Sequence, residues 1–117
     1  MVTHQPRMTA PTRAVLDVFL GDPDVPRYGL EIGSHAVLPS GTVHPILARL
    51  EGLGWLESGW EDVDPSVAGR PRRRFYRLTA AGASGAQAAL AAADARRSRL
   101  RARRPARLVP GFGPASS

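Results

Sequence analysis

The sequence of 117 residues contains no cysteine and no lysine. Without cysteine the chain has no disulfide framework, no thiolate metal site and no cysteine nucleophile. No apolar run approaches the roughly 20 residues needed to cross a bilayer, and the N-terminus lacks the basic and then apolar layout of a signal peptide. These absences argue against the class of membrane proteins and predict a cytoplasmic protein.

The sequence also lacks the residue patterns of common enzyme sites. Its three histidines, His4, His35 and His44, have neither metal-ligand nor triad spacing, and no glycine-rich phosphate loop is present. We therefore predict a protein that is not an enzyme and that has no cofactor and no metal.

Positive charge is concentrated in one part of the chain. Residues 1–69 hold four arginines against nine acidic residues, whereas residues 70–107 hold twelve arginines against Asp94 alone. The length corresponds to one domain with a single modest core, and the 43% hydrophobic content is typical of a globular protein. The charge asymmetry points to a polyanionic partner.

Two short helices are predicted before residue 38. Thr9 can cap the first helix, with Pro11 in its first turn. One face of this helix carries large apolar residues: Val15, Leu16, Phe19 and Leu20. Residues 21–26 hold a glycine and two prolines, which end it. The second helix is predicted from Arg27 to about Val37.

A third helix is predicted to begin at Ser40 to Thr42, with either hydroxyl as its cap. Its apolar residues recur at helical spacing: Val43, Ile46, Leu47, Leu50 and Leu53. Pro45 has no amide hydrogen, so it must lie in or near the first turn. Gly54 ends the helix. The face opposite the apolar stripe carries small and hydrogen-bonding residues, which would let the helix approach another surface closely.

A β-hairpin is predicted next, with strands at Trp55–Glu61 and Arg72–Leu78 and a flexible loop at Asp62–Gly69. Thr79 can cap a last helix from Ala80 to about Arg104, although Gly82 and Gly85 weaken its start. The predicted fold class is therefore mainly α with a small antiparallel β-hairpin, the layout of a winged helix-turn-helix plus one C-terminal helix.

Three motifs in this order resemble those of the PadR family of winged-helix transcriptional regulators: RYGLEI at 27–32, LPSGTVHPILARLEGLGWLES at 38–58 and GRPRRRFYRLTAAG at 69–82. The resemblance implies a homodimer that binds double-stranded DNA and usually represses transcription. In that family the SGT-containing helix enters the major groove, and the hairpin wing touches the backbone or the minor groove. With only one helix after the wing, this chain is similar to the short subgroup.

Residues 1–8 are polar and carry no pattern, so they are predicted to be a flexible arm, and the proline, glycine and serine of residues 105–117 predict a disordered tail. Between them, the resemblance implies a winged-helix DNA-binding domain at 9–79 and a dimerisation helix at 80–104. A helix N-terminus favours a phosphate, and arginine suits both phosphate pairing and guanine recognition. The residues expected to contact DNA are Ser40, Gly41, Thr42, His44, Pro45, Arg49, Arg70, Arg72, Arg73 and Arg74.

Several alternatives remain open from the sequence. His44 stands where the family usually has tyrosine, and it either donates to DNA or faces solvent. The arginines at 70–74 could instead form a solvated run on an edge hairpin. Those at 96–104 could extend the DNA contact, but we favour a solvated helix face or a poorly ordered end. Trp55 and Trp60 could stack on an effector, but aromatic residues in a short strand more often pack in a core or in a dimer interface. The last helix contains no aromatic residue, so effector binding between C-terminal helices is not predicted.

The sequence predicts a sequence-specific regulator that acts as a homodimer on a roughly palindromic operator. The resemblance to the family implies that it represses transcription. A small-molecule effector is left open. The alternative function is a basic module that binds nucleic acid without sequence preference, as a nucleoid-coating or RNA-binding protein does. Such a module shares the charge asymmetry but does not need a helix-turn-helix.

Overall fold

The computed structural model describes residues 6–103. The first five residues of the predicted arm, Arg104 and the predicted tail at 105–117 lie outside the described residues. The elements in chain order are α1 (Ala10–Leu20), β1 (Arg27–Tyr28), α2 (Gly29–Ala36), α3 (Ser40–Gly52), β2 (Leu56–Trp60), α4 (Pro65–Ala68), β3 (Arg74–Leu78) and α5 (Ala80–Arg103). Within this part of the chain, no helix is long and apolar enough to cross a membrane.

The first helix begins as the sequence predicts. Thr9 is its N-cap, and the Thr12 amide donates to the Thr9 hydroxyl at 3.3 Å. The apolar face of α1 is buried against α2 and α3, with Val15, Leu16 and Phe19 fully inaccessible. The predicted α1 is therefore confirmed in its cap, its bounds and its buried face.

The second helix begins two residues later than predicted. Arg27 and Tyr28 form a short strand that pairs antiparallel with β3, which gives a three-stranded sheet in the order β1, β3, β2 instead of a two-stranded hairpin. The Glu31 carboxylate accepts a hydrogen bond from the Tyr28 amide at 3.2 Å. Because this bond caps the helix from its third residue, α2 starts at Gly29 and leaves the two preceding residues extended.

Neither hydroxyl predicted to cap α3 does so. The N-cap is Pro39, whose carbonyl accepts from the Thr42 and Val43 amides at 2.9 and 3.1 Å. Pro45 lies just past the first turn, where its missing amide leaves the carbonyl of the exposed Gly41 without a helical donor. Solvent can satisfy that carbonyl, so the helix tolerates the proline there.

The strands of the hairpin are shorter than predicted, and their connecting loop contains structure. Instead of a purely flexible loop, residues 65–68 form the single-turn α4. Its cap is Asp64, whose carboxylate accepts from the Ser66 amide at 3.0 Å. Gly69 follows α4 with a φ of 72°, a left-handed conformation that favours glycine.

The last helix packs on the rest of the protein through its first half. Thr79 caps it as predicted, accepting from the Gly82 amide at 2.9 Å. A Cβ atom on Gly82 would lie 2.0 Å from the Trp55 carbonyl oxygen, and one on Gly85 would lie 2.6 Å from the Trp55 ring. The two glycines predicted to weaken the helix therefore let it approach Trp55, which is buried in the core as expected. Trp60 does not pack in the core: it is 60% exposed, with the Arg74 guanidinium over its ring.

Beyond residue 90 the last helix leaves the core. Its buried residues are Gly82, Ala86, Ala89 and Leu90, and every residue from 94 to 103 is exposed. Where α5 becomes fully exposed, Arg13 of α1 donates two hydrogen bonds to the Asp94 carboxylate, at 2.7 and 3.1 Å. This pairing lowers the pKa of the Asp94 carboxyl from its ordinary value.

Candidate nucleic-acid interface

The exposed face of α3 is built from small residues. Val43, Ile46, Leu47 and Leu50 are buried beneath it. Of the residues predicted to contact DNA, Ser40, Gly41, His44, Pro45 and Arg49 are exposed on one side of the helix, and Thr42 is half-buried at its edge. Ala48 and Gly52 complete the exposed side. The helix thus presents a low, accessible surface that another molecule could approach closely.

The start of α3 has unpaired backbone donors. With no side-chain cap on Pro39, the Ser40 and Gly41 amides have no acceptor in the part of the chain that the structure describes. These donors lie at the positive end of the helix dipole. Both features favour an anionic group, such as a phosphate, at this position.

His44 borders a groove between α3, α2 and β3. Its Cε1 atom lies 3.4 Å from the position that a Cβ atom on Gly29 would take. The groove has a volume of about 700 Å³, and its lining includes Tyr28, Leu38 and Tyr76, with Arg73 and Arg74 from the wing. The structure therefore brings the predicted helix and two of the predicted wing arginines to one concave surface.

The wing is closed at its base by Glu61, a residue for which the sequence predicted no role. Its side chain is only 7% exposed and forms ion pairs with Arg70 and Arg73. These two guanidinium groups, first that of Arg70, lower the pKa of the Glu61 carboxyl to about 2. An acidic residue directly before the hairpin loop, facing a run of arginines after it, is the sequence signal that could have identified this pair.

The other wing arginines also have partners within the protein. The Arg74 guanidinium donates to the Ser58 hydroxyl at 2.7 Å and lies 3.4 Å from the Glu51 carboxylate. Arg77 lies 3.7 Å from Glu57. Arg72 donates only to a backbone carbonyl, that of Val63, at 2.8 Å. Among the four predicted wing contacts, Arg72 is thus the one whose charge no carboxylate offsets within the described residues.

The geometry defines the class of fold as a winged helix, with α2 and α3 as the helix-turn-helix and the β2–β3 hairpin as the wing. A family model described as the transcriptional regulator PadR-like family matches residues 23–88. The chain therefore belongs to the PadR-like family of transcriptional regulators. None of the curated proteins compared with the chain matches it.

Solved structures of regulators share the fold. A PadR family transcriptional regulator from Eggerthella lenta matches with a TM-score of 0.60 and 23% identity, covering 78% of this chain and 80% of that one. The MepR–DNA complex of Staphylococcus aureus matches with a TM-score of 0.58 and 17% identity, covering 80% and 73%.

The PcaV regulator of Streptomyces coelicolor, solved with its natural ligand, matches with a TM-score of 0.55 and 22% identity, covering 73% of this chain. The present chain covers only 55% of that protein, and it spans about half the length of several other matching structures. At these identities the likeness shows the fold, and the winged-helix prediction is confirmed.

Proposed function

We propose that the chain is a sequence-specific DNA-binding regulator that acts as a homodimeric repressor on a roughly palindromic operator. The observation that carries this proposal is the exposed face of α3, which combines small residues with two unpaired amides at the helix start. A small face lets the helix enter the major groove, and the amides suit a flanking phosphate. Repression rests on the PadR-like membership alone.

Within this proposal, Ser40, Gly41 and Thr42 bind the backbone, and His44, Pro45 and Arg49 read base edges. The wing contributes through Arg72, and through Arg70, Arg73 and Arg74 where a phosphate can replace or share their carboxylate partners. The pair of Arg74 with Glu51 is largely exposed, and such pairs add little stability, so a phosphate can compete with it. Glu61 is buried, so Arg70 and Arg73 would share a phosphate while they keep their carboxylate partner.

The unpartnered face of α5 supports the dimer. Small residues occur alternately three and four residues apart along its whole length: Ala81, Ser84, Ala88, Ala91, Ala95, Ser98 and Ala102. All seven are exposed, and they lie on the side of the helix opposite the buried residues. This spacing is that of a coiled-coil seam, and small side chains permit close helix packing, at about 8 Å between axes. The winged domain at 9–79 and the dimerisation helix at 80–104 are parts of this proposal.

The dimer is tested by sedimentation of the wild type and of the variant Ala91→Glu. The new carboxylates would meet at the seam, so the variant is expected to be a monomer at micromolar concentration while the wild type is a dimer. The control is Leu100→Glu, because Leu100 is 58% exposed and lies on the side of α5 opposite Ala91. A monomeric wild type would refute the homodimer.

The decisive test of the function is selection of bound sequences from random DNA. A regulator should enrich a roughly palindromic site and bind it about 10³-fold or more tightly than bulk DNA. His44→Ala should lower the affinity for the selected site, whereas His35→Ala, at an exposed position on α2, should not. Equal binding to all sequences would instead favour the non-specific module, for which the many arginines of α5 are the supporting observation.

A further inference from the structure

We propose that the exposed end of α5, residues 95–103, is a second DNA-binding surface that supplies much of the sequence-independent affinity. This segment, the basic arm, carries Arg96, Arg97, Arg99, Arg101 and Arg103. The inference rests on the proposed DNA-binding function and adds a surface outside the winged helix. It reverses the expectation that these arginines form only a solvated helix face.

The arginines of the basic arm have no carboxylate within ion-pair distance among residues 6–103. The acid next to the arm, Asp94, is already held by two hydrogen bonds from Arg13. Residues 1–5 and 104–117 contain no aspartate or glutamate, so no acidic side chain from there can offset the charge. The charge of Arg97 helps to lower the pKa of the Asp94 carboxyl, but none of the five arginines of the arm forms an ion pair among the described residues.

Most arginines of the wing, in contrast to those of the basic arm, are paired with carboxylates. Of its arginines, Arg70 and Arg73 share the Glu61 carboxylate, and Arg74 and Arg77 lie beside Glu51 and Glu57. A phosphate that binds these groups must displace or share a carboxylate, which reduces the net gain. The sequence divided the positive charge between the wing and the last helix, and the ion pairs of the wing leave most of the unpaired charge on the basic arm.

The arginines are arranged so that the arm could bind DNA while α5 is in a dimer. Arg96, Arg99 and Arg103 follow one flank of the helix, and Arg97 and Arg101 follow another. The small-residue seam contains no arginine, so packing along it leaves Arg96, Arg97 and Arg103 on the outer side of the helix, with Arg99 and Arg101 at the edges of the contact. At 1.5 Å per residue the arm is about 14 Å long. This length matches about eight phosphate charges of a duplex, at roughly 1.7 Å per charge.

The arm suits a nucleic acid better than a membrane surface. Its one large apolar side chain, Leu100, is 58% exposed and lies between arginines. A helix that lies in a membrane interface needs a continuous apolar face of large residues, and the arm has none. Duplex DNA is the polyanion that the winged helix of the same chain would already hold nearby.

The test is the salt dependence of duplex binding by the full chain and by Arg99→Gln/Arg103→Gln. The logarithm of the affinity falls with the logarithm of the salt concentration by about 0.9 per phosphate contact. Loss of two contacts should therefore reduce the slope by about 1.8. The charge-matched control is Arg27→Gln/Arg77→Gln, which removes two arginines that each lie beside a carboxylate outside the proposed DNA contacts and should leave the slope unchanged. The substituted side chains of the arm are exposed, so circular dichroism should show an intact fold.

A crosslinking experiment locates the contact directly. The chain has no cysteine, so Leu100→Cys provides a single attachment point for a benzophenone crosslinker within the arm. Duplex DNA should be captured from this position more strongly than from Asp22→Cys in the acidic turn after α1. An equal slope for the arm variant and its control, or equal capture from both cysteines, would overturn the proposal.

The outcomes separate this inference from the proposed function. If the wild type binds all sequences equally but the arm variant loses slope, the sequence-specific function fails and the arm contact stands. If the wild type selects an operator and the arm variant keeps the wild-type slope, only the arm contact fails. A loss confined to single-stranded RNA, or to vesicles of phosphatidylserine and phosphatidylcholine, would also overturn a DNA contact by the arm.

Discussion

Glu61 and Arg73 join the two strands of the wing at its base through both backbone and side-chain contacts. The Glu61 amide donates to the Arg73 carbonyl at 2.9 Å, and the Arg73 amide donates to the Glu61 carboxylate at 3.0 Å. The Arg73 guanidinium adds an ion pair at 3.2 Å and lies over the Tyr28 ring, 4.2 Å from its centroid. The wing is therefore tied to β1 as well as closed on itself.

The variant Glu61→Gln should show a changed dependence of stability on pH. The folded-state pKa of Glu61, about 2, lies below its ordinary value of 4.5. The carboxylate therefore stabilises the folded state above about pH 4.5, and this contribution is lost as the pH falls toward 2. The wild type should melt at a higher temperature than the variant at pH 6, and the difference should shrink toward pH 2. A difference that stays constant across this range would contradict the assigned pairing.

Replacing Val37 with asparagine should stabilise the protein. Val37 ends α2 with a φ of 57°, a left-handed conformation that costs a β-branched residue about 1 to 2 kcal/mol, and its side chain is 84% exposed. Asparagine adopts this conformation more readily, so thermal or urea unfolding of Val37→Asn should show a gain of about 1 kcal/mol. The matched control is Val67→Asn, equally exposed but in the right-handed α4, which should show no gain. A gain in both variants would mean that the strain at Val37 is not the cause.

Gly82→Ala should destabilise the protein although alanine is the better helix former. The added Cβ would meet the Trp55 carbonyl oxygen at 2.0 Å, so the helix would have to move away from the core. Overpacking of this kind costs about 1 to 3 kcal/mol, which exceeds the gain of about 1 kcal/mol in helix propensity. Gly52→Ala, at an exposed helical position with no neighbour within 4 Å, should be neutral or stabilising in the same chemical denaturation measurement. Equal effects of the two substitutions would show that α5 does not need the close approach.

Arg72→Gln should weaken DNA binding more than Arg77→Gln does. Within residues 6–103, Arg72 has only the Val63 carbonyl as a partner, whereas Arg77 lies beside a carboxylate. Titrations of both variants on random-sequence duplex at several salt concentrations should give a slope reduced by about 0.9 for Arg72→Gln. The Arg77→Gln slope should match the wild type. A larger loss of slope for Arg77→Gln than for Arg72→Gln would contradict the proposed contact between Arg72 and DNA.

Local patterns in the sequence predicted most of the fold. The apolar spacing of α1 and α3, the cap at Thr9 and the cap at Thr79 each depend on residues within a few positions of one another. The β1 strand could not be predicted in this way, because two residues become a strand only by pairing with β3, nearly fifty positions later. The role of Gly82 could not be predicted either, because it depends on a contact with Trp55, which is distant in the sequence.

The sequence predicted which residues form the candidate site better than it predicted which of their charges are unpaired. The sequence identified the exposed residues of α3 and the wing arginines, and the structure brings several of them to one concave surface. It did not reveal that carboxylates offset most of the wing charge, because Glu51 and Glu61 come near those arginines only when the hairpin folds. The structure also shows that the arginines of α5 beyond Asp94 form no such ion pairs among the described residues, which the sequence could not reveal.

Only one residue, Thr79, separates the last strand of the wing from α5. The Thr79 amide donates to the Trp55 carbonyl at 3.0 Å, and its hydroxyl donates to the Gly54 carbonyl at 2.7 Å, so the junction is anchored to the end of α3. In the proposed dimer, the direction in which α5 leaves the winged helix would set the distance between the two recognition helices. A tilt of a few degrees at this junction would move the two halves of the protein relative to the two half-sites of an operator.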